Sequence, residues 1–138
     1  MTNHINYFNH PYYRLQHLNS NDFLNPIDAL SYGNIDPELY LGYKNYGVKK
    51  LDNNLLSNIV KSHIYILIEL SLYLDVNPGD KNALMLYQNY SNNLKVALEK
   101  YEQINGPLSI LSTNVDFNKW CYLKNWPWER GDKSCGCI

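Results

Sequence analysis

The chain has little charge and almost no imbalance between the two signs. Only 18% of its 138 residues are charged, below the average of about 25% for soluble domains. Twelve basic and thirteen acidic residues leave a net charge of −1. Binding to nucleic acid or to an anionic membrane surface relies on clustered positive charge. We therefore expect neither nucleic acid nor a membrane as a partner.

Long apolar runs are also lacking. The most apolar stretch, residues 64–74, is interrupted by Glu69, whereas a membrane-spanning helix needs about 20 apolar residues. Residues 1–20 contain no apolar core of the kind found in a secretory signal peptide. We expect a protein with neither a membrane span nor a secretory signal.

Cysteine is scarce, with Cys121, Cys135 and Cys137 as the only examples. An odd number argues against an internal disulfide framework. Cys135 and Cys137 are too close in sequence for an unstrained mutual disulfide. They are free thiols in a disordered tail, cross-links to a neighbouring chain, or ligands that share a soft metal. We take Cys135 and Cys137 as the cross-linking candidates and expect Cys121, beside Trp120, to be shielded.

Motifs that carry catalysis are missing. The sequence has no HExxH, CxxC, phosphate-binding glycine loop or nucleophile elbow. The turn after Asp75 has the Asp-x-Asn start of a calcium loop, but Leu86 stands where a bidentate Glu is required. His63 falls on an apolar helix face, where a core histidine bonded to Tyr or Glu is the simplest interpretation. The sequence predicts no catalytic residue, no cofactor and no metal.

Two long helices are the strongest positive signal. Residues 52–75 and 81–104 each repeat apolar side chains at alternating spacings of four and three, which is typical of a helical face. Pro78 and Gly79 separate the two, and Gly106 ends the second. The first stripe comprises Leu56, Val60, His63, Leu67, Leu70 and Leu74, and the second comprises Ala83, Tyr87, Tyr90, Leu94, Ala97, Tyr101 and Ile104.

The helix ends carry their own signals. Asp52, Asn53 or Asn54 is predicted to cap the first helix, and Asp80 to cap the second. Similar lengths and a short connection favour an antiparallel pair. In that pair Tyr87, Tyr90, Leu94 and Tyr101 are expected to face Leu56, Val60, Leu67 and Leu70.

The predicted fold is therefore all-α: an antiparallel two-helix hairpin with long irregular N- and C-terminal arms. Proline and glycine interrupt residues 1–50, where residues 27–30 have room for one helical turn. We divide the chain into an N-terminal arm (1–50), a helical hairpin (51–106) and a C-terminal arm with aromatic and Cys residues (107–138).

The first helix is apolar around most of its circumference, so one partner helix cannot cover it. Ile64, Ile68 and Leu72 are predicted to meet a further surface, and the chain is not expected to function as a monomer. In the C-terminal arm, aromatic side chains either fold back on the hairpin or enter a partner's groove. These candidates are Trp120, Trp126, Pro127 and Trp128.

Several motifs in order resemble the spore coat protein CotJB family. The family has a leucine-rich helix, a turn of the form LYLDTHPDDKEAL, a second helix, YGPL and a closing PWPWE. The matching residues here are Leu72 to Leu84, Gly106-Pro107-Leu108 and Trp126-Pro127-Trp128-Glu129, within about residues 55–129. Asn77, Gly79 and Asn105 depart from the pattern. A second and weaker resemblance covers about residues 25–43, which are similar to the companion protein CotJA. In that segment Asn34 replaces Thr and Gly42 replaces Pro.

The resemblance implies a non-enzymatic structural protein of the endospore coat. It would be made in the mother-cell cytoplasm and would assemble with itself or with other coat proteins, including CotJA-like and CotJC-like ones. An alternative is an adaptor that binds and positions CotJC, which resembles manganese catalases. A peptide-binding tetratricopeptide-like pair is a third reading, weakened because such repeats need about three copies.

Overall fold

The computed structural model describes residues 18–40 and 50–112, and the regular secondary structure within these ranges is helical. Neither range contains a strand, so the predicted all-α class is confirmed. No helix within them has the length and hydropathy needed to cross a bilayer. The described ranges contain the helices α1 (Pro26–Tyr32), α2 (Leu56–Val76) and α3 (Lys81–Asn105), and a 3-10 turn at Ser20–Asp22.

The chain forms two compact units, Met1–Ala97 and Leu98–Ile138. The first contains α1, α2 and most of α3, and the second begins in the last turns of α3. The division into N-terminal arm, hairpin and C-terminal arm stays a prediction.

The α2–α3 connection is a tight turn that Asp80 closes. Asp80 Oδ1 accepts hydrogen bonds from the backbone N–H groups of Asn82 (3.0 Å) and Ala83 (3.1 Å), which is the predicted N-cap of α3. The hydroxyl of Tyr73 lies 2.9 Å from Asp80 Oδ2. Further along, the His63 ring meets Tyr90 edge-on with centroids 5.9 Å apart. These pairings run in opposite directions along the two helices, so the hairpin is antiparallel as predicted.

The start of α2 differs from the prediction. The helix begins at Leu56, and its N-cap, Leu55, makes no side-chain capping bond. Asp52 instead accepts from the backbone N–H of Asn54 (2.9 Å), which closes a local turn ahead of the helix. The predicted cap among residues 52–54 is therefore wrong, because the carboxylate satisfies this turn.

Residues from three parts of the first unit form one core. It comprises Ile66, Leu70 and Tyr73 of α2, Ala83 of α3, and Ala29 and Ile35 of residues 18–40, which are called the N-terminal segment below. The buried face of α2 is therefore displaced from the predicted stripe. On α3, Leu86 packs against the core, while Tyr87 is 39% exposed. An apolar pattern that surrounds most of a helix does not determine which side is buried, so this part of the predicted seam is wrong.

The N-terminal segment has clear helix signals of its own. Asn25 Oδ1 accepts from the backbone N–H of Asp28 (3.0 Å), Pro26 occupies the first turn, and Gly33 ends α1 with φ of 77°. The resulting helix has seven residues rather than the one turn predicted for residues 27–30. It packs against α2. The backbone N–H of Leu24 donates to the Ile35 carbonyl (3.0 Å), which closes the loop around α1.

At the other end, α3 stops where glycine allows it. Gly106 adopts φ of 87° and donates its N–H to the Glu102 carbonyl (2.9 Å). That left-handed conformation strains any residue with a Cβ, so Gly106 is the helix stop that the sequence predicted.

Candidate functional site

Ile64, Ile68 and Leu72 form an exposed apolar row on α2, called the α2 stripe below. Their side chains are 43%, 52% and 52% exposed. Consecutive helical residues are separated by about 100°, so these positions point away from the face that contains Ile66 and Leu70. The described residues leave this row uncovered, and its role in an interface stays a prediction.

The other predicted interaction residues lie outside the described ranges. These are Trp120, Trp126, Pro127 and Trp128 among the aromatic candidates, and Cys135 and Cys137 among the cross-linking candidates, together with Cys121. Their assignments stay predictions.

A polar cluster joins the hairpin turn to the N-terminal segment. Tyr73, which is 3% exposed, has its hydroxyl within 3.1 Å of the Leu18 carbonyl as well as close to Asp80. Ser20 donates to Asp80 Oδ1 (3.1 Å) and accepts from the Asn82 side chain (3.1 Å). Asp80 thus both caps α3 and binds the segment before α1.

The cluster changes the protonation of its members. Desolvation acts to raise the pKa of Asp80, but hydrogen bonds from Ala83, Ser20, Tyr73 and Asn82 outweigh it, and the pKa lies below its ordinary value. Burial, with the neighbouring carboxylate, raises the pKa of Tyr73 to about 12. At neutral pH the pair is therefore a carboxylate and a neutral phenol, which suits a structural hydrogen bond.

Glu69 is a half-buried carboxyl on α2. Its Oε2 accepts from the Asn34 side chain at 3.4 Å, and Tyr65 and the Ile35 backbone also bond to the carboxyl. Burial raises its pKa, although these bonds act in the opposite direction. Glu69 joins α2 to the loop after α1, and sequence analysis assigned it no role because Asn34 and Ile35 are more than 30 residues away in the chain.

His63 lies half-buried on α2, and its hydrogen-bond partner is a backbone carbonyl rather than the predicted Tyr or Glu side chain. Its Nδ1 donates to the Ile59 carbonyl one turn earlier (2.8 Å), and the ring contacts Tyr90. In the described ranges no three His, Cys, Asp or Glu side chains are grouped so as to hold a metal ion.

The last turn of α3 and the residues that follow it present a second apolar surface, called the 104–111 tip below. Its members are Ile104, Leu108, Ile110 and Leu111, which are 76%, 49%, 88% and 85% exposed. Sequence reasoning missed this surface. It placed Ile104 on the apolar stripe of the second helix, and it used Gly106-Pro107-Leu108 only as a helix stop and as part of the family motif.

Glu102 holds the tip in place. Its Oε1 accepts from the backbone N–H of Leu108 (3.0 Å), and its Oε2 accepts from the Ser112 hydroxyl (2.5 Å). Ser109 adds local bonds, since its hydroxyl accepts from the N–H of Leu111 and its carbonyl accepts from the N–H of Ser112. These bonds close the turn, while the side chains of Ile110 and Leu111 remain exposed to solvent.

The chain was compared with family models, curated proteins and solved structures. No curated protein and no solved structure matches the chain. The model of the family described as CotJB protein matches residues 53–129, which is more than half of the chain. This range includes α2, α3, the α2 stripe and the 104–111 tip. The chain therefore belongs to the CotJB family of spore coat proteins.

Proposed function

We propose that the protein is a non-enzymatic building block of the endospore coat that assembles with further copies of itself. The observation that carries the proposal is the α2 stripe. Three large apolar side chains lie in a row at helical spacing, and each leaves about half of its surface in water. Burying such surface is the main driving force for association between proteins.

Membership of a spore coat family supplies the setting. A coat is built from many copies, so a surface that adds copies suits a structural component. We further propose that the chain is made in the mother-cell cytoplasm and joins the coat from that side.

The occupant of the α2 stripe is a second copy of the chain. With a net charge of −1, two copies repel each other only weakly. The area that three side chains offer is small compared with a stable interface of about 1,200–2,000 Å². Association through this surface alone is therefore expected to be weak and to depend on concentration.

Sedimentation velocity of the purified protein tests the proposal. The average mass should rise with concentration, and Ile68→Ser should lower it at every concentration. Met85→Ser is the matched control, because Met85 is 55% exposed on α3 and outside the stripe. Reductant in the buffer removes any contribution from the cysteines.

Two outcomes contradict self-assembly. A wild-type protein that stays monomeric at several hundred micromolar has no self-association of this kind. If that monomer forms a stoichiometric complex with a purified manganese-catalase-like coat protein, the adaptor alternative replaces the proposal.

A further inference from the structure

We propose that the N-terminal segment, residues 18–40, also binds the face of α2 and α3 on a second copy, so that copies join by exchanging this segment. The inference rests on the proposed function, since it names a further contact through which copies join. The face in question has an occupant in the structure, and that occupant is the segment of the same chain. The contact between copies is therefore the one seen within a single copy.

The segment covers an apolar face. Ala29 and Ile35 are completely buried in the same core as Leu70 of α2. The ring of Phe23 meets the ring of Tyr73 edge-on, with centroids 4.8 Å apart. Without an occupant this face would return its apolar side chains to water, which is unfavourable. Either the segment of the same copy or that of another copy must cover it.

Polar contacts near both ends of the segment select that particular occupant. Near the first end, the Ser20 hydroxyl donates to Asp80 Oδ1 (3.1 Å). Near the other end, the Asn34 side chain donates to Glu69 Oε2 (3.4 Å). A segment of different sequence would leave these partly buried groups without partners, which costs free energy. The same segment of a second copy matches both of them, so a second copy is the partner that fits.

The segment is closed by bonds of its own. The backbone N–H of Leu24 donates to the Ile35 carbonyl (3.0 Å), Asn25 caps α1, and Gly33 ends it. These bonds stay intact wherever the segment binds. A unit that keeps its shape loses less conformational entropy on binding than an unstructured one.

The family match separates the face from its cover. The matched residues 53–129 include Glu69, Tyr73 and Asp80, which receive the segment. The segment itself lies before this range. Face and cover are thus two distinct parts of the sequence, and their contacts do not require that both belong to one copy.

The connection is long enough to reach a neighbour. Ten peptide steps lead from Tyr40 to Lys50, and they span at most about 35 Å. The 21 residues of α2 extend about 32 Å. The segment can therefore be placed one helix length away from its own α2.

Concentration decides between the two arrangements, because the contacts are the same in both. A segment on a short tether has an effective concentration on the order of a millimolar. Binding to a second copy competes once the copies are packed at a similar concentration, as in a layer. Exchange of an identical element is a low-cost route to dimers, and onward exchange adds further copies.

Cross-linking between two full-length variants tests the exchange. The Asn82 side chain donates to Asn21 Oδ1 (3.2 Å), so cysteines at these two positions mark the bound arrangement. One variant contains Asn21→Cys and the other Asn82→Cys, and Ser replaces the three natural cysteines in both. The two are refolded together from urea, treated with a short bismaleimide, and analysed by mass spectrometry. The product that joins residues 21 and 82 of different copies should be abundant at about 1 mM and fall roughly a hundredfold at about 10 µM.

Asn93→Cys is the matched control for Asn82→Cys. Asn93 is also an asparagine of α3, is exposed, and lies about 16 Å further along the helix. Paired with Asn21→Cys, it should give only the background from random collision. A chain with both Asn21→Cys and Asn82→Cys should close the link within itself at low concentration. That link fixes the segment in place, so any association that persists comes from other surfaces.

The outcomes separate this inference from the proposed function. If the 21–82 product between copies is no more abundant than the 21–93 product while the mass of wild type still rises with concentration, self-assembly stands and the exchange is wrong. If the 21–82 product forms and Ile68→Ser leaves the mass unchanged, the exchange holds and the α2 stripe is not the contact. If the double variant gives no link within the chain, the segment does not lie against Asn82 and the inference is overturned.

Discussion

Replacing Asp80 with Ala should remove more stability than loss of a helix cap alone. The carboxylate caps α3 through the N–H groups of Asn82 and Ala83, and it also accepts from Ser20 and Tyr73. An N-cap replaced by Ala costs about 0.5–2 kcal/mol. The bonds to Ser20 and Tyr73 tie in the N-terminal segment, and their partial exposure limits the added loss to about 1 kcal/mol.

We therefore expect Asp80→Ala to lower the free energy of unfolding by about 2–3 kcal/mol. For a domain of this size that corresponds to a fall of roughly 10 °C in melting temperature. Urea denaturation followed by circular dichroism measures the loss directly. Asp75→Ala is the matched control, because Asp75 is exposed near the C-terminal end of α2, where a negative charge opposes the helix dipole. That control should be neutral or slightly stabilising.

A double-mutant cycle with Tyr73→Phe isolates the contact between the two side chains. The Tyr73 hydroxyl keeps the Leu18 carbonyl as an acceptor when Asp80 is lost, so the buried phenol is not left unsatisfied. The coupling should accordingly be modest, about 0.5–1.5 kcal/mol. A coupling indistinguishable from zero would show that the bond contributes nothing to stability.

The contribution of Asp80 also has a defined pH dependence. The folded-state pKa of Asp80 lies below that of the unfolded chain, which is about 3.9. The native state therefore binds the proton less readily, and the stabilisation is complete above that value and lost as the pH falls through the folded pKa. The difference between wild type and Asp80→Ala should shrink between pH 4 and pH 2. A difference below 0.5 kcal/mol at pH 7, or one that stays constant down to pH 2, would refute the reasoning.

Two further predictions concern the join between α2 and the N-terminal segment. Ile35→Ala should cost about 2–5 kcal/mol in urea denaturation, because Ile35 is completely buried; a loss below about 1 kcal/mol would show that the segment is not part of the core. Glu69→Gln keeps hydrogen-bond acceptors for Asn34 and Tyr65 but removes the charge. Because the folded pKa of Glu69 is raised, its stabilising effect is complete below about pH 4 and is lost as the pH rises through the folded pKa. The variant should therefore gain stability relative to wild type between pH 4 and pH 7, and equal differences at both ends would contradict the shift.

Local signals in the sequence were sufficient for the ends of α3. Asp80 after a Pro-Gly turn is both a good cap and an observed cap, and Gly106 adopts the left-handed conformation that ends the helix. The cap and the helix end both depend on backbone geometry within a few residues, and the local amino-acid sequence determines that geometry. The cap predicted for α2 failed for a related reason, since Asp52 has a second local partner in the Asn54 N–H.

The buried side of each helix could not be read from periodicity alone. Ser62 is completely buried on α2, with its hydroxyl bonded to the Ile59 carbonyl, while Ile68 faces solvent. A polar side chain that satisfies itself on its own helix fits an interior position as well as an apolar one does. Which face is buried is then decided by the elements that pack against the helix. The exposure of Ile110 could likewise not be predicted, because the sequence of a short turn does not show whether an apolar side chain points inward or outward.

The division of the core explains why one side of α2 stays exposed within the described residues. The family match begins at residue 53, yet Ala29 and Ile35 from before that point are completely buried against α2. The N-terminal segment and α3 together cover the face that contains Ile66. Within the described residues, no element is left to cover the opposite face, where Ile68 lies. A helix that is apolar on both sides and covered on one still has apolar surface to bury, and the proposed self-association would bury it.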